Sequence, residues 1–171
     1  MIPISSAIGG GLAWSKSSRK CGFELRSDAG IIASLRRTSF WSREFQADSS
    51  HGSWRFRRIG FWRIATEIVD EVSGARIATL KPNWCGGGML VFADGQTLQL
   101  NSKGFWRPVW SVAANGQLIL SIHTRGKTVE LANEMHLPEE RLTLLAIFTW
   151  HIMQQTAEDA ASAAVAAAAV S

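Results

Sequence analysis

Tyrosine is absent from this 171-residue chain, and cysteine nearly so. The two cysteines, Cys21 and Cys85, make no CxxC pair and no His/Cys metal spacing, so they read as free thiols in a reducing compartment. The four histidines, His51, His123, His136 and His151, are scattered, with no HExxH pattern. No G-x-S-x-G elbow is present, and neither cysteine has an identifiable base. The run Gly86-Gly87-Gly88 lacks the G-K-[ST] ending of a phosphate-binding loop and opens onto a strand, so it reads as a bulge or tight corner. No D-x-D-x-D-G calcium loop occurs either. The expectation is a protein that is not an enzyme and uses no cofactor or metal.

Long apolar runs are also missing. The longest, about residues 142–153, falls well short of the ~20 residues a membrane span needs. The N-terminus has neither a basic n-region nor a continuous apolar h-region, so no signal peptide is read there. A cytoplasmic protein, free or peripheral at a membrane, is expected.

What is present is a globular composition, 46% apolar and only 19% charged, with a net charge of +4. Eight Trp and eight Phe imply a thick core or a contact surface. Residues 1–20, rich in Gly and Ser and ending in a basic run, read as a flexible arm. From Gly22 onward the texture becomes short alternating runs. Strands are expected at 23–27, 31–37, 41–45, 53–59, 62–70, 75–81, on either side of Asp94-Gly95 and Asn115-Gly116, and at 127–131.

Turn chemistry suggests the registers. Asp28-Ala29-Gly30 reads as a three-residue loop. A two-residue loop at Asp94-Gly95 pairs Ala93 with Gln96, collecting Met89, Val91, Leu98 and Leu100 on one face. A two-residue loop at Asn115-Gly116 pairs Ala114 with Gln117, collecting Val109, Ala113, Leu118, Leu120 and Ile122. At Ser73-Gly74 two registers stay open, with Glu71 opposite Arg76 or Val69 opposite Ile77.

Pro138 to about Gln155 reads as a helix, with proline at its first position and Glu139 and Glu140 favouring its positive end. Its apolar residues surround the wheel, so it must be enclosed on every side. The Ala-rich segment 157–171 offers little to bury and reads as a fraying or mobile tail. An antiparallel meander must close to hide its edges. The expected fold is therefore mainly β: a closed antiparallel barrel of about 11–12 strands (residues 21–156) wrapped around one central hydrophobic C-terminal helix at 138–155.

The strand order, the acidic hairpin D-E-V-S-G-A-R-I-A-T-L at 70–80, the DG and NG hairpins and the terminal apolar helix carry a family resemblance. Over about residues 22–155 the chain resembles the tubby C-terminal-like superfamily, in its LURP-one-related and phospholipid-scramblase-like branch. The resemblance implies a twelve-stranded barrel enclosing a helix, with phosphoinositide or membrane-surface binding. The membrane-anchoring C-terminal segment of the scramblases is not matched.

Surface chemistry concentrates in S-W-R-F-R-R-I-G-F-W-R, residues 53–63. Alternation puts Trp54, Phe56 and Arg58 on one face and Arg55, Arg57 and Ile59 on the other. Arg55, Arg57, Arg58 and Arg63, joined by Arg36 and Arg37, could form a basic patch for anionic phospholipid headgroups, because guanidinium forks match phosphate oxygens. The ordinary alternative is a solvated strand face. His151, inside the apolar helix, reads as a core histidine bonded to a carbonyl or one at the barrel mouth. Two other functions stay open: an interaction or regulatory module contacting a protein through the arm and the tail, and, less favoured, a nucleic-acid-binding barrel.

Overall fold

The computed structural model describes residues 1–7, 11–17, 22–39, 43–60, 64–83, 87–104, 108–132 and 137–169. Twelve strands form one antiparallel meander, each paired with its sequence neighbours: β1 Ala13–Lys16, β2 Gly22–Ser27, β3 Gly30–Arg37, β4 Phe45–Ser49, β5 Ser53–Ile59 and β6 Ala65–Asp70 lead into β7 Arg76–Pro82, β8 Gly88–Phe92, β9 Thr97–Lys103, β10 Val109–Ala114, β11 Gln117–His123 and β12 Val129–Leu131. The first and last strands meet at the Ala13–Thr128 bridge. There Trp14 N–H donates to the Lys127 carbonyl at 2.9 Å and Val129 N–H to that of Leu12 at 2.8 Å. That seam nearly closes the sheet into a barrel.

One helix, α1 (Glu139–Ala168), fills it. Eleven successive residues, Thr143 to Met153, are buried, so every side of the helix is covered. The inward residues of the wall alternate as a half-buried sheet requires: Leu25 on β2, Trp54 and Phe56 on β5, Leu90 and Phe92 on β8, Leu98 and Leu100 on β9. Trp14 stacks on Trp150 with ring centroids 5.2 Å apart, and Phe56 meets Phe148 edge-on at 5.3 Å. Each fully buried Leu, Ile or Phe contributes about 1.5–3 kcal/mol.

The N-terminal segment is not a free arm. A 3₁₀ turn at Ile4–Ala7 and strand β1 bury Ile4, Ala7, Leu12 and Trp14, and Ile2 N–H donates to the Ile31 carbonyl at 3.0 Å. Its Gly and Ser content concealed four apolar anchors. The helix also continues past Gln155 to Ala168, because alanine propagates a helix already nucleated inside the barrel.

Several registers differ from the turn-based expectation. The β8–β9 loop has three residues, Ala93 to Gly95, since Leu90 pairs with Leu98 and Phe92 N–H donates to the Gln96 carbonyl at 2.9 Å. That one-residue change reverses the faces, so Leu90 and Phe92 turn inward while Met89 is exposed. The Asn115-Gly116 loop has two residues, with both at positive φ, and Ala114 pairs with Gln117. A bulge between Val112 and Ala113 then resets the register, so Trp110 and Val112 join Leu120 and Ile122 inside and Leu118 lies outside.

Neither register weighed for the β6–β7 hairpin closes it. Val69 faces Arg76 across a four-residue loop in which the Asp70 carboxylate accepts Ser73 N–H at 2.6 Å. The β2–β3 loop is two residues, closed by the Ser27–Gly30 pair. Strand β4 runs from Phe45 to Ser49, later than the expected 41–45, and the expected start at Trp41 lies outside the described residues. The glycine run does mark a tight corner. A Cβ on Gly88 would lie 2.4 Å from the Lys81 carbonyl, and one on Gly87 only 2.1 Å from that of Leu100; Gly86 is outside the described residues.

Candidate binding surfaces of the barrel

The arginines of β5 do not form one patch. Trp54 and Phe56 point into the core, so Arg55 and Arg57 stand on the outer wall. Arg55 Nε donates to Glu71 at 2.8 Å and a second nitrogen bonds the same carboxylate, while Arg57 Nε donates to Glu67 at 2.9 Å. Bonding to Arg55 holds the Glu71 carboxyl below the usual range. Cross-strand pairing from Arg36 through Gln46, Arg55 and Val69 to Arg76 makes a continuous outer row. Arg36 lies 3.8 Å from Asp48 and Arg76 3.7 Å from Glu67. The row is therefore a lattice of alternating charges, each exposed pair worth about 0–1 kcal/mol.

Arg58 keeps the inward phase of Trp54 and Phe56 but sits where the barrel opens. There it turns to the helix, and both terminal nitrogens bond Asp159. Arg37, at the end of β3, donates to Glu158 at 2.8 Å. Together these pairs collar α1 where it leaves the barrel. At the opposite end Arg141 donates to Asp94 at 2.7 Å, so the helix is tied at both mouths. Arg63 lies outside the described residues, as do Cys21, Cys85 and His136.

Two turns below the collar lies His151, fully buried, with ring centroids 4.6 Å from Phe45 and 5.0 Å from Phe56. Neither ring nitrogen has a hydrogen-bond partner, so the carbonyl bond expected of a core histidine is missing. Burial, with the Arg58 and Arg37 charges adding, pushes its pKa down to about 3. It is neutral near pH 7 and encloses no reacting group.

Two small clefts flank α1 at its exit. One is lined by Ile64, Thr66, Leu80, Pro82, Ile152 and Gln155, the other by Arg37, Arg43, Phe45, Glu158 and Ser162; Arg58, Gln155 and Asp159 border both. Among the described residues, no group of three His, Cys, Asp or Glu is placed to hold a metal ion, and no helix is long and apolar enough to cross a membrane. Glu158, Asp159, Thr66 and Gln155 were missed at the level of sequence. One signal was there: Glu158 and Asp159 are the only charges in the Ala-rich segment, next to the last apolar turn.

Comparison of the chain with family models, with curated proteins and with solved structures finds no match.

Proposed function

We propose that the protein is a non-catalytic barrel that docks end-on onto an anionic phospholipid surface, using the mouth from which α1 leaves. The observation that carries this reading is the polarity of the barrel. In an antiparallel meander the strand ends at Arg37, Ile59, Pro82, Lys103 and His123 share the end where the helix exits. Lys16, Arg43, Lys81, Lys103, Arg125 and Lys127 gather there, with no carboxylate partner among the described residues. The acidic residues at that end are Glu44, Glu158 and Asp159, with Glu24 bonded to Ser17 and Glu130 facing His123 just inside it. The opposite end has the reverse bias, with Asp28, Asp48, Asp70, Glu71, Asp94, Glu139 and Glu140 against Arg26, Arg55, Arg76 and Arg141.

A charge separation of this kind orients a molecule in the field of an anionic membrane, where each nearby Lys or Arg is worth about 1 kcal/mol. The order of the chain adds support. Trp41, Trp62, Trp84 and Trp106 fall in the connections that follow β3, β5, β7 and β9, and Arg63 and Arg107 stand beside two of them. All six lie outside the described residues, so their support is that of sequence order alone. Trp beside Arg is the composition suited to a membrane interface.

Vesicle co-sedimentation tests the reading. Binding should rise with phosphatidylserine content, fall on adding salt, and drop with Lys103→Glu plus Arg125→Glu. Arg55→Ala and Arg57→Ala, which break outer-wall pairs, should change it little. Equal binding to neutral and anionic vesicles would overturn the proposal. A second reading has its own observation: α1 projects from Thr156 to Ala169 with every residue exposed, Val165 among them, as a rod that a protein partner could grip. In that case deleting 161–171 would abolish capture of the partner and leave vesicle binding intact.

A further inference from the structure

The exit mouth holds hydrogen-bonding groups that nothing in the fold satisfies. Gln155 is 8% exposed and Thr66 5% exposed, both line the cleft between α1 and β6–β7, and neither side chain has a hydrogen-bond partner among the described residues. Arg58 spends its two terminal nitrogens on Asp159, which leaves its Nε–H buried and unpaired. Two polar side chains on one cleft that bond nothing among the described residues mark a place where a ligand's polar atom can bond. The apolar part of the lining is Ile64, Leu80, Pro82 and Ile152, with Asn83 and Gly87 beside them. Thr156 does not compete, because its hydroxyl donates to the Ile152 carbonyl at 2.9 Å.

The charges select among ligands. Arg58 is already neutralised by Asp159, and that carboxylate borders the same cleft. An incoming anion would meet Asp159 at close range and gain little from Arg58. A neutral carbonyl group meets no such repulsion. Its oxygen can accept from the Gln155 amide, while an attached N–H or O–H can donate to Gln155 or Thr66. The cleft encloses about 170 Å³. A cavity of about 150 Å³ suffices for benzene, so the body of the ligand is of ring size.

We infer that this cleft is a binding site for a small neutral molecule with an amide or other carbonyl head and a short apolar body, held by Gln155 and Thr66. The site is independent of end-on membrane docking, since it needs none of the free cations of the rim. Its test is an NMR titration of the full chain with benzamide, benzoate and toluene, read on the Gln155 side-chain amide and the Thr66 methyl.

Benzamide should bind saturably and tighter than benzoate or toluene. Gln155→Leu and Thr66→Val, with the dispersed spectrum of the folded barrel retained, should each weaken it about five-fold, the equivalent of one hydrogen bond. Ile64→Trp is a surface change that leaves the core untouched and should block the cleft, so the site can be tested even if a core variant fails to fold. Absence of saturable benzamide shifts, affinity unchanged in Gln155→Leu or Ile64→Trp, or benzoate or toluene binding as tightly as benzamide, would each overturn the assignment. Vesicle binding measured on Gln155→Leu and Thr66→Val should stay constant, which separates this outcome from that of the docking proposal.

Discussion

The two halves of α1 share one backbone and almost nothing else. From Thr143 to Met153 every residue is buried, with Leu, Ile, Phe and Trp on all sides; from Thr156 to Ala169 every residue is exposed, and most are Ala. Helical propensity is if anything higher in the second half. The inner half is therefore fixed by the wall around it, and the outer half persists because each added residue only extends an existing helix. Between them stands the collar of Arg37–Glu158 and Arg58–Asp159.

The sharpest way to break this contrast is to place one charge in each half. Leu145→Asp or Phe148→Asp puts an unpaired carboxylate at a site with 0–1% exposure and should prevent folding of the whole barrel. Ala164→Asp should shift stability by no more than about 0.5 kcal/mol. Circular dichroism melts check both. A folded Phe148→Asp protein would mean the helix is not the filling of the barrel.

The next largest effect comes from His151. Its folded pKa of about 3 lies below the ordinary 6.5, so the unfolded chain binds the proton more readily. Stability is then fully present above pH 6.5 and is lost as pH falls from 6.5 toward 3, by roughly 4 kcal/mol across the window. Asp70, Glu71 and Asp94, whose pKa values are lowered by hydrogen bonds, add their loss only below the ordinary carboxylate range. Urea midpoints between pH 7 and pH 5 should therefore fall with a slope of about one proton, and His151→Leu should flatten it. A slope unchanged in that variant would place the titrating group elsewhere.

The same contrast explains what could be read in advance. The helix surrounded by apolar residues pointed to a closed wall around it, and turn residues at steady spacing supplied the strands. Register was harder, because bulges at Leu25, Ile68 and Val112 and a three-residue loop at Ala93–Gly95 each move a face by one residue without any distinct residue signature. The N-terminal anchors Ile4 and Leu12 were hidden because isolated apolar residues among Gly and Ser show no period. Alternation correctly divided β5, yet it could not show that Glu71, Glu67 and Asp159 would each take one of its arginines. Those partners are between 10 and 101 residues away in sequence.

At the collar the expected effects are smaller. A double-mutant cycle of Arg58→Ala and Asp159→Ala should give a coupling of about 0.2–1 kcal/mol, since Asp159 is largely solvated. Arg58→Ala also removes the largest of the charges that depress His151, so the histidine should titrate at higher pH in that variant. The NMR titration of the His151 ring reads this shift directly. A His151 pKa unmoved by Arg58→Ala would mean that burial alone sets it.

The smallest effect belongs to the outer half. Deleting 161–171 leaves Glu158 and Asp159 in place to hold the collar, and removes a segment whose described residues, 161–169, are all exposed. Of the described residues in the severed part only Ser162 borders a cleft of the barrel, and a helix of this length is marginal on its own. The melting temperature should therefore move by no more than a few degrees. Hydrogen exchange gives the finer reading: amides of 163–168 should exchange by fraying, while those of 147–153 exchange only on global unfolding. Outer amides as protected as the inner ones would require a partner along the projecting helix, and a second copy of the chain would show itself by making that protection depend on protein concentration.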